Sequence, residues 1–324
     1  MVYDLDAKDI KILEQLEIDC RQSDSSVAKK VGLSKQVVNY RIKNLVNNNV
    51  ISSFLTIIDI QKISYCFYHV FLKTEKVSQD KENEIIEFIK NMPQVGWLVT
   101  CIGKWNIAIA FLAKDPVEFN ECMEKIYEKF KDYIGEKRFL IVIEGMPCKK
   151  KYLFPKKLND VPFYFGKRET INLNKSEILI LQQLSRDSLM PLVDIANNTA
   201  LSYETVKAYI KKMQDEKLIQ AFTIKINPFS YGYEWYAVLI ELDKFTKEDK
   251  KRLINLINAQ PNSVFISNMI GMYNMVVDLH VKDVLELNKI MREIQEKSGI
   301  IKTYEPLLIL KEYKCNFIPN FSYY

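Results

Sequence analysis

Residues 34–49 hold the side chains best suited to chemistry. Lys35, Gln36, Asn39, Tyr40, Arg41 and Lys43 follow Ser34 at helical spacing, and the stretch carries three cations and no acid. Gln and Asn amides make paired hydrogen bonds to the edge of adenine, and Lys reaches guanine or phosphate. This pattern points to a helix whose outer face meets the major groove of double-stranded DNA. A shift of 168 residues gives Tyr203, Glu204, Lys207, Ala208 and Lys211 at the matching positions. Tyr203, Lys207 and Lys211 suit a second half-site or supporting phosphate contacts, whereas phosphate repels Glu204. The first helix is expected to be the better reader. Polar residues on an outer helix face usually mean solvation alone; the lack of any acid in 34–49 favours contact.

Other chemistries find little support. There is no Gly-rich phosphate loop, paired-carboxylate signature or Ser/Cys nucleophile motif, and the only histidines are His69 and His280. Six scattered cysteines without Cys-x-x-Cys are expected to be reduced thiols. No cofactor, no metal and no catalysis are expected. Trp97, Trp105, Trp235 and Tyr273 could line a cofactor pocket, but aromatics alternating in strands are usually core. Net charge is +5, and residues 148–169 alone, with seven cations against two acids, account for it. A local basic site is therefore conceivable there, but not a basic surface throughout. At 324 residues, 48% hydrophobic and 27% charged, the chain reads as several folded domains. Without an apolar run of membrane length or a signal-like start, a cytoplasmic protein is expected.

What positions these residues is a tandem repeat. At the 168-residue shift Leu5-Asp6 falls on Leu173-Asn174, Leu33-Ser34 on Leu201-Ser202, Gly103 on Gly271, Asn106 on Asn274 and Asp115 on Asp283, with no gap. Each copy opens with three short helical patterns. Ser34 and Ser202 serve as N-caps of the third, and Asn174 with Glu177 resembles a capping box. β-branched stretches at 50–58 and 218–226 predict a two-stranded wing, a hairpin in each copy, completing a winged helix-turn-helix. Strand-like 66–74, helical 80–92, strand-like 95–102 and 106–113, helical 116–133 and strand-like 138–144 follow. The second copy repeats them at 235–242, 247–259, 264–270, 275–281, 284–297 and 304–311.

The expected class is thus α+β: two tandem copies of a winged helix-turn-helix plus a ferredoxin-like βαββαβ domain. The predicted divisions are 1–60, 61–147, a basic linker at 148–169 with a short strand at 162–165, 170–228 and 229–324. Outward apolar residues require each sheet to be covered by a second one, from the sister copy or another chain.

Leu5-Asp6-x-x-Asp9-x-x-Ile12-Leu13-x-x-Leu16, Arg21, the Leu33-Ser34 turn and Arg41-Ile42-x-x-Leu45-x-x-x-x-Val50-Ile51 resemble the helix-turn-helix signature of the Lrp/AsnC (leucine-responsive, feast/famine) regulators. Gly103-Lys104-Trp105-Asn106 and Gly271-Met272-Tyr273-Asn274 sit where that family has a Gly-x-Tyr-Asp turn in its sensing (RAM) domain. The resemblance implies transcription regulation, homodimers or larger assemblies formed through the sensing-domain sheets, and a small effector, commonly an amino acid, bound near these turns. It nominates Gly103, Trp105, Asn106, Gly271, Tyr273 and Asn274 as effector contacts, with a tight turn as the plainer reading of the glycines. The sequence departs from the pattern in having Asn for Asp in both copies and Tyr209 in place of an Arg. Two alternatives remain. Siroheme decarboxylases share the fused architecture and resemble this chain, but they rely on histidine and arginine, and here His69 aligns with Ala237 and His280 with Leu112. A sensor that has lost DNA is the other.

Overall fold

The computed structural model describes residues 2–155 and 169–321. The strand expected at 162–165 lies outside them, as do five of the charged residues of the basic linker.

The chain begins with α1 (Ala7–Ile18), α2 (Asp24–Val31) and α3 (Lys35–Asn47). Asp6 caps α1 in a reciprocal box with Asp9, and Ser34 caps α3 by accepting from the Val37 amide. These side chains satisfy amides that the first helical turn leaves without partners. Ile12, Leu13, Leu16, Val27, Val38 and Leu45 close the small core between the helices. The second copy builds the same unit from α6 (Lys175–Arg186), α7 (Leu192–Thr199) and α8 (Tyr203–Asp215), with the expected Asn174–Glu177 box and Ser202 cap.

The wing differs from expectation. Each copy contributes one strand, β1 (Ile51–Ile58) or β6 (Ile219–Ile226), and these pair antiparallel with each other, Phe54 opposite Ile224. The expected hairpin is therefore a ribbon shared by the two helix-turn-helix units. Side chains lock it. The Cys20 amide donates to the Phe222 carbonyl at 2.9 Å, and Thr223 Oγ1 donates to the Glu17 carbonyl. The Arg21 guanidinium donates to the carbonyls of Ser188 (2.6 Å) and Met190 (2.9 Å) and lies over the Phe222 ring. Hydrogen bonds from a charged donor contribute about 1.5–3 kcal/mol. Arg21→Ala should therefore lower the unfolding free energy by about 2 kcal/mol in urea titrations. A loss below about 0.5 kcal/mol would show that the clamp is dispensable.

The β-α-β-β-α-β order appears in both copies. The first has β2 (Cys66–Thr74), α4 (Gln79–Lys90), β3 (Val95–Ile102), β4 (Ile107–Ala113), α5 (Pro116–Phe130) and β5 (Ile134–Pro147). The second has β7 (Glu234–Leu242), α9 (Lys247–Ala259), β8 (Ser263–Ile270), β9 (Met275–Val281), α10 (Val284–Ser298) and β10 (Ile301–Cys315). The two four-stranded sheets join into one closed barrel in the order β10-β3-β4-β2-β5-β8-β9-β7. The long strands β5 and β10 make the joins. Residues 134–141 of β5 pair with β2 and residues 141–147 with β8; residues 301–308 of β10 pair with β7 and residues 308–315 with β3. This is why both strands outrun the segments expected from sequence: their far halves belong to the sister copy's sheet. Closure inside one chain satisfies the backbone groups that an open edge would present. The second sheet expected for each copy, from the sister copy or another chain, is its sister.

Alternation assigns the faces. Tyr68, Val70 and Leu72 turn outward to α4 and α5, and Val277 and Leu279 turn outward into the core beneath α9 and α10. Phe67, Phe71, Trp235, Ala237 and Leu239 turn inward, into a core continuous with that of both helix-turn-helix units. No helix among the described residues is long and apolar enough to cross a membrane. All six cysteines are unpaired.

Candidate nucleic-acid interface and interior cavity

On α3, Lys35, Gln36, Tyr40 and Lys43 are exposed, Tyr40 at 69%. Val38 and Leu45 anchor the opposite face in the core. Asn39 is half-buried, and its amide nitrogen donates to Asp24 at 2.8 Å. Paired bonding of Asn39 to adenine would need that contact to break. The Arg41 guanidinium bonds Asp6 and Asp9, both at 2.7 Å, and ties α3 to the first turn of α1. Contact of Arg41 with DNA would need those bonds to be shared or broken. On α8, Tyr203, Glu204, Lys207, Ala208 and Lys211 are exposed, and Lys212 makes the equivalent tie to Glu177 at 2.8 Å. A lysine one turn away thus replaces the arginine missing at Tyr209.

The turns nominated for an effector make structural contacts. Trp105 and Tyr273 are fully buried. Asn106 accepts through Oδ1 from the Thr74 amide at 2.9 Å, and Asn274 does the same for Leu242 at 2.8 Å. Both asparagines thereby pin the neighbouring strand, a task that needs an acceptor and no charge. Gly103 and Gly271 have φ of +147° and +142°, and an added Cβ would stand 2.8 Å from Leu307 and 2.4 Å from Leu140. Each turn presses on the other copy's long strand, and only glycine combines that φ with that approach. The six positions thus sit at the barrel joints.

An interior cavity of about 210 Å³ lies where the β1–β6 ribbon meets the barrel's inward face. Its walls include Leu55, Ile57 and Ile224 from the ribbon and Phe67, Trp97 and Trp235 from the barrel. None of its lining residues is exposed. The polar groups on its wall are mostly engaged. Lys150 pairs with Glu17, Lys225 with Glu312, and Trp235 Nε1 donates to Asp278 at 2.8 Å. His280 Nδ1 and the Tyr152 hydroxyl are 2.6 Å apart. His69 is different. It stacks on Trp97, centroids 5.9 Å apart, and opposes Ala110 across the strands. Both histidines thus line one cavity although they are not equivalent in the repeat, because the halves share a single inner wall. Their places in the repeat, opposite Ala237 and Leu112, give no sign of this. The phase of 67-69-71 and 276-278-280, polar groups in step with inward apolar ones, was the signal available.

Burial moves these groups. It pushes Asp278 up to about 6 and His69 down to about 4; burial, then Lys150 and Lys225, holds His280 well below its usual range. A His69 value below the ordinary 6.5 means that the folded protein binds fewer protons. Its contribution is complete above pH 6.5 and is lost as pH falls towards 4. Asp278 acts oppositely: its contribution is complete below its free value and is lost as pH rises through about 6. Between pH 7 and pH 5 His69 should remove roughly 2 kcal/mol of stability, and His69→Phe should abolish that portion. Urea denaturation at both pH values checks this; equal pH dependence in the two proteins would refute it.

The geometry defines a class: a single-chain pair of winged helix-turn-helix units mounted on a closed α/β barrel. Residues 5–46 match the AsnC-type helix-turn-helix domain, and residues 173–220 match a winged helix-turn-helix DNA-binding domain. The HTH-type transcriptional regulator FL11 of Pyrococcus furiosus is 27% identical over 135 residues, 42% of this chain and 87% of that protein. The transcriptional regulator AzlB of Bacillus subtilis is 31% identical over 112 residues, 34% of this chain and 71% of that protein. The siroheme decarboxylase NirDL shares the whole architecture, with a TM-score of 0.63 over 97% of this chain and 94% of that one, at 16% identity. That likeness is one of fold. The chain belongs to the Lrp/AsnC family of helix-turn-helix DNA-binding regulators, here in tandem duplicated form.

Proposed function

We propose that one chain presents two unlike readers, α3 and α8, to a non-palindromic duplex site and acts there as a transcriptional regulator. The observation carrying this is that the two helix-turn-helix units are clamped by a ribbon made from one strand of each. Family members built from identical subunits would read a symmetric site; unlike halves in one frame have no reason to. Lys35, Gln36, Tyr40 and Lys43 would make the base and phosphate contacts of the first half-site. Tyr203, Lys207 and Lys211 would make mainly phosphate contacts at the second, with Glu204 limiting its strength. Association should weaken steeply with salt.

A non-catalytic role fits the cavity. Its volume of about 210 Å³ falls below the ~300–1,000 Å³ of ordinary ligand pockets, and a tetrapyrrole bearing many carboxylates needs more room. The two wall lysines are also already matched with acids. As a transcriptional regulator, the protein would act on DNA in the cytoplasm. Selection of bound duplexes from a random library by the full chain tests the reading. Two dissimilar half-sites at fixed spacing are expected. A perfect palindrome, or no enrichment at low salt, would overturn it.

A further inference from the structure

We propose that the cavity between the β1–β6 ribbon and the barrel is a binding site for a compact, neutral heteroaromatic molecule of one or two fused rings. Size and wall set the class. A dry apolar cavity of about 150 Å³ accepts benzene, so about 210 Å³ suits a single or fused ring. Trp97, Trp235, Phe265 and Phe317 give it aromatic surface on several sides.

Charge argues for neutrality. The Lys150 ammonium faces Glu17, and the Lys225 ammonium faces Glu312 while lying 4.9 Å from the Trp235 ring centroid. Asp278 accepts from the Trp235 indole. An added ion would have to displace one of these partners.

His69 supplies the polar contact. Among the described residues no hydrogen bond is made by its imidazole, which is half-buried on the cavity wall. Neutral imidazole offers one N–H donor and one lone pair, and on this wall both are available to an occupant of the cavity. A ring nitrogen or N–H of the ligand, stacked beside Trp97, would pair with it.

Leu55, Ile57, Thr223, Ile224, Lys225 and Ile226 of the ribbon line the same cavity. An occupant therefore touches the element that sets the separation of α3 and α8. This coupling rests on the DNA reading above; the binding does not.

The test uses the full chain, with benzimidazole as probe and indene, which has the same shape but no hydrogen-bonding atoms, as its control. Titration calorimetry at pH 8 should find one benzimidazole per chain, bound at least about tenfold more tightly than indene. His69→Phe should bring the two within about threefold. Ala110→Leu, which fills the space opposite His69, should lose both. No saturable binding to the native chain, or a preference that survives His69→Phe, overturns the site. Saturating benzimidazole should also shift affinity for the selected duplex at least about threefold in the native chain and not in Ala110→Leu. Binding without any such shift overturns the coupling and leaves the site standing.

Discussion

Lys35→Ala, Gln36→Ala and Lys43→Ala combined should lower affinity for the selected duplex by about 100-fold or more at moderate salt. All three side chains are exposed on the outer face of α3, whose inner face is held by Val38 and Leu45. Truncation there should leave the fold intact. A paired amide–base contact contributes about 1–3 kcal/mol of discrimination, and each lysine–phosphate contact releases counterions. Losing two lysines should reduce the slope of log affinity against log salt by about two. A triple change to Ala at Tyr203, Lys207 and Lys211 on α8 should cost less, about tenfold, because Glu204 already opposes phosphate there. Fluorescence anisotropy across a salt series reads both numbers. Unchanged affinity in the α3 triple variant would remove that helix from the interface.

Trp105→Ala carries the second large effect. Its indole is fully buried, among the inward side chains of the barrel and 6.4 Å from the Phe71 ring. Truncating a buried tryptophan costs about 3–5 kcal/mol. Guanidinium denaturation should show that loss. Had Trp105 lined an effector cleft, as its place in the turn suggests, the change would instead spare stability and abolish a ligand response. A loss under about 1 kcal/mol would restore that view.

The contrast between these two residues shows how far local pattern reaches. Exposure of Lys35 and Gln36 follows from helical period and the Ser34 cap, both properties of a dozen consecutive residues. Burial of Trp105 depends on a strand 200 residues away: β10 must leave its own sheet and pair with β3 before Gly103 can rest against Leu307. Likewise Arg41 looks free on its helix, and only the docking of α1 across α3 places Asp6 and Asp9 within 2.7 Å.

Sequence alone determined the duplication, the three-helix units with their caps, the β-α-β-β-α-β order and the exposed polar face of the third helix in each unit. Each of these depends on residues near one another in the chain or on an ungapped self-match, so periodicity and spacing carry the information. Tertiary structure alone decided that the wing is one ribbon drawn from both copies, that two sheets close into one barrel, and that His69, His280, Lys225 and Asp278 line one cavity. Strand pairing between copies is chosen by which edges can satisfy their backbone groups together. That choice is made over long sequence distances, where a local pattern is silent.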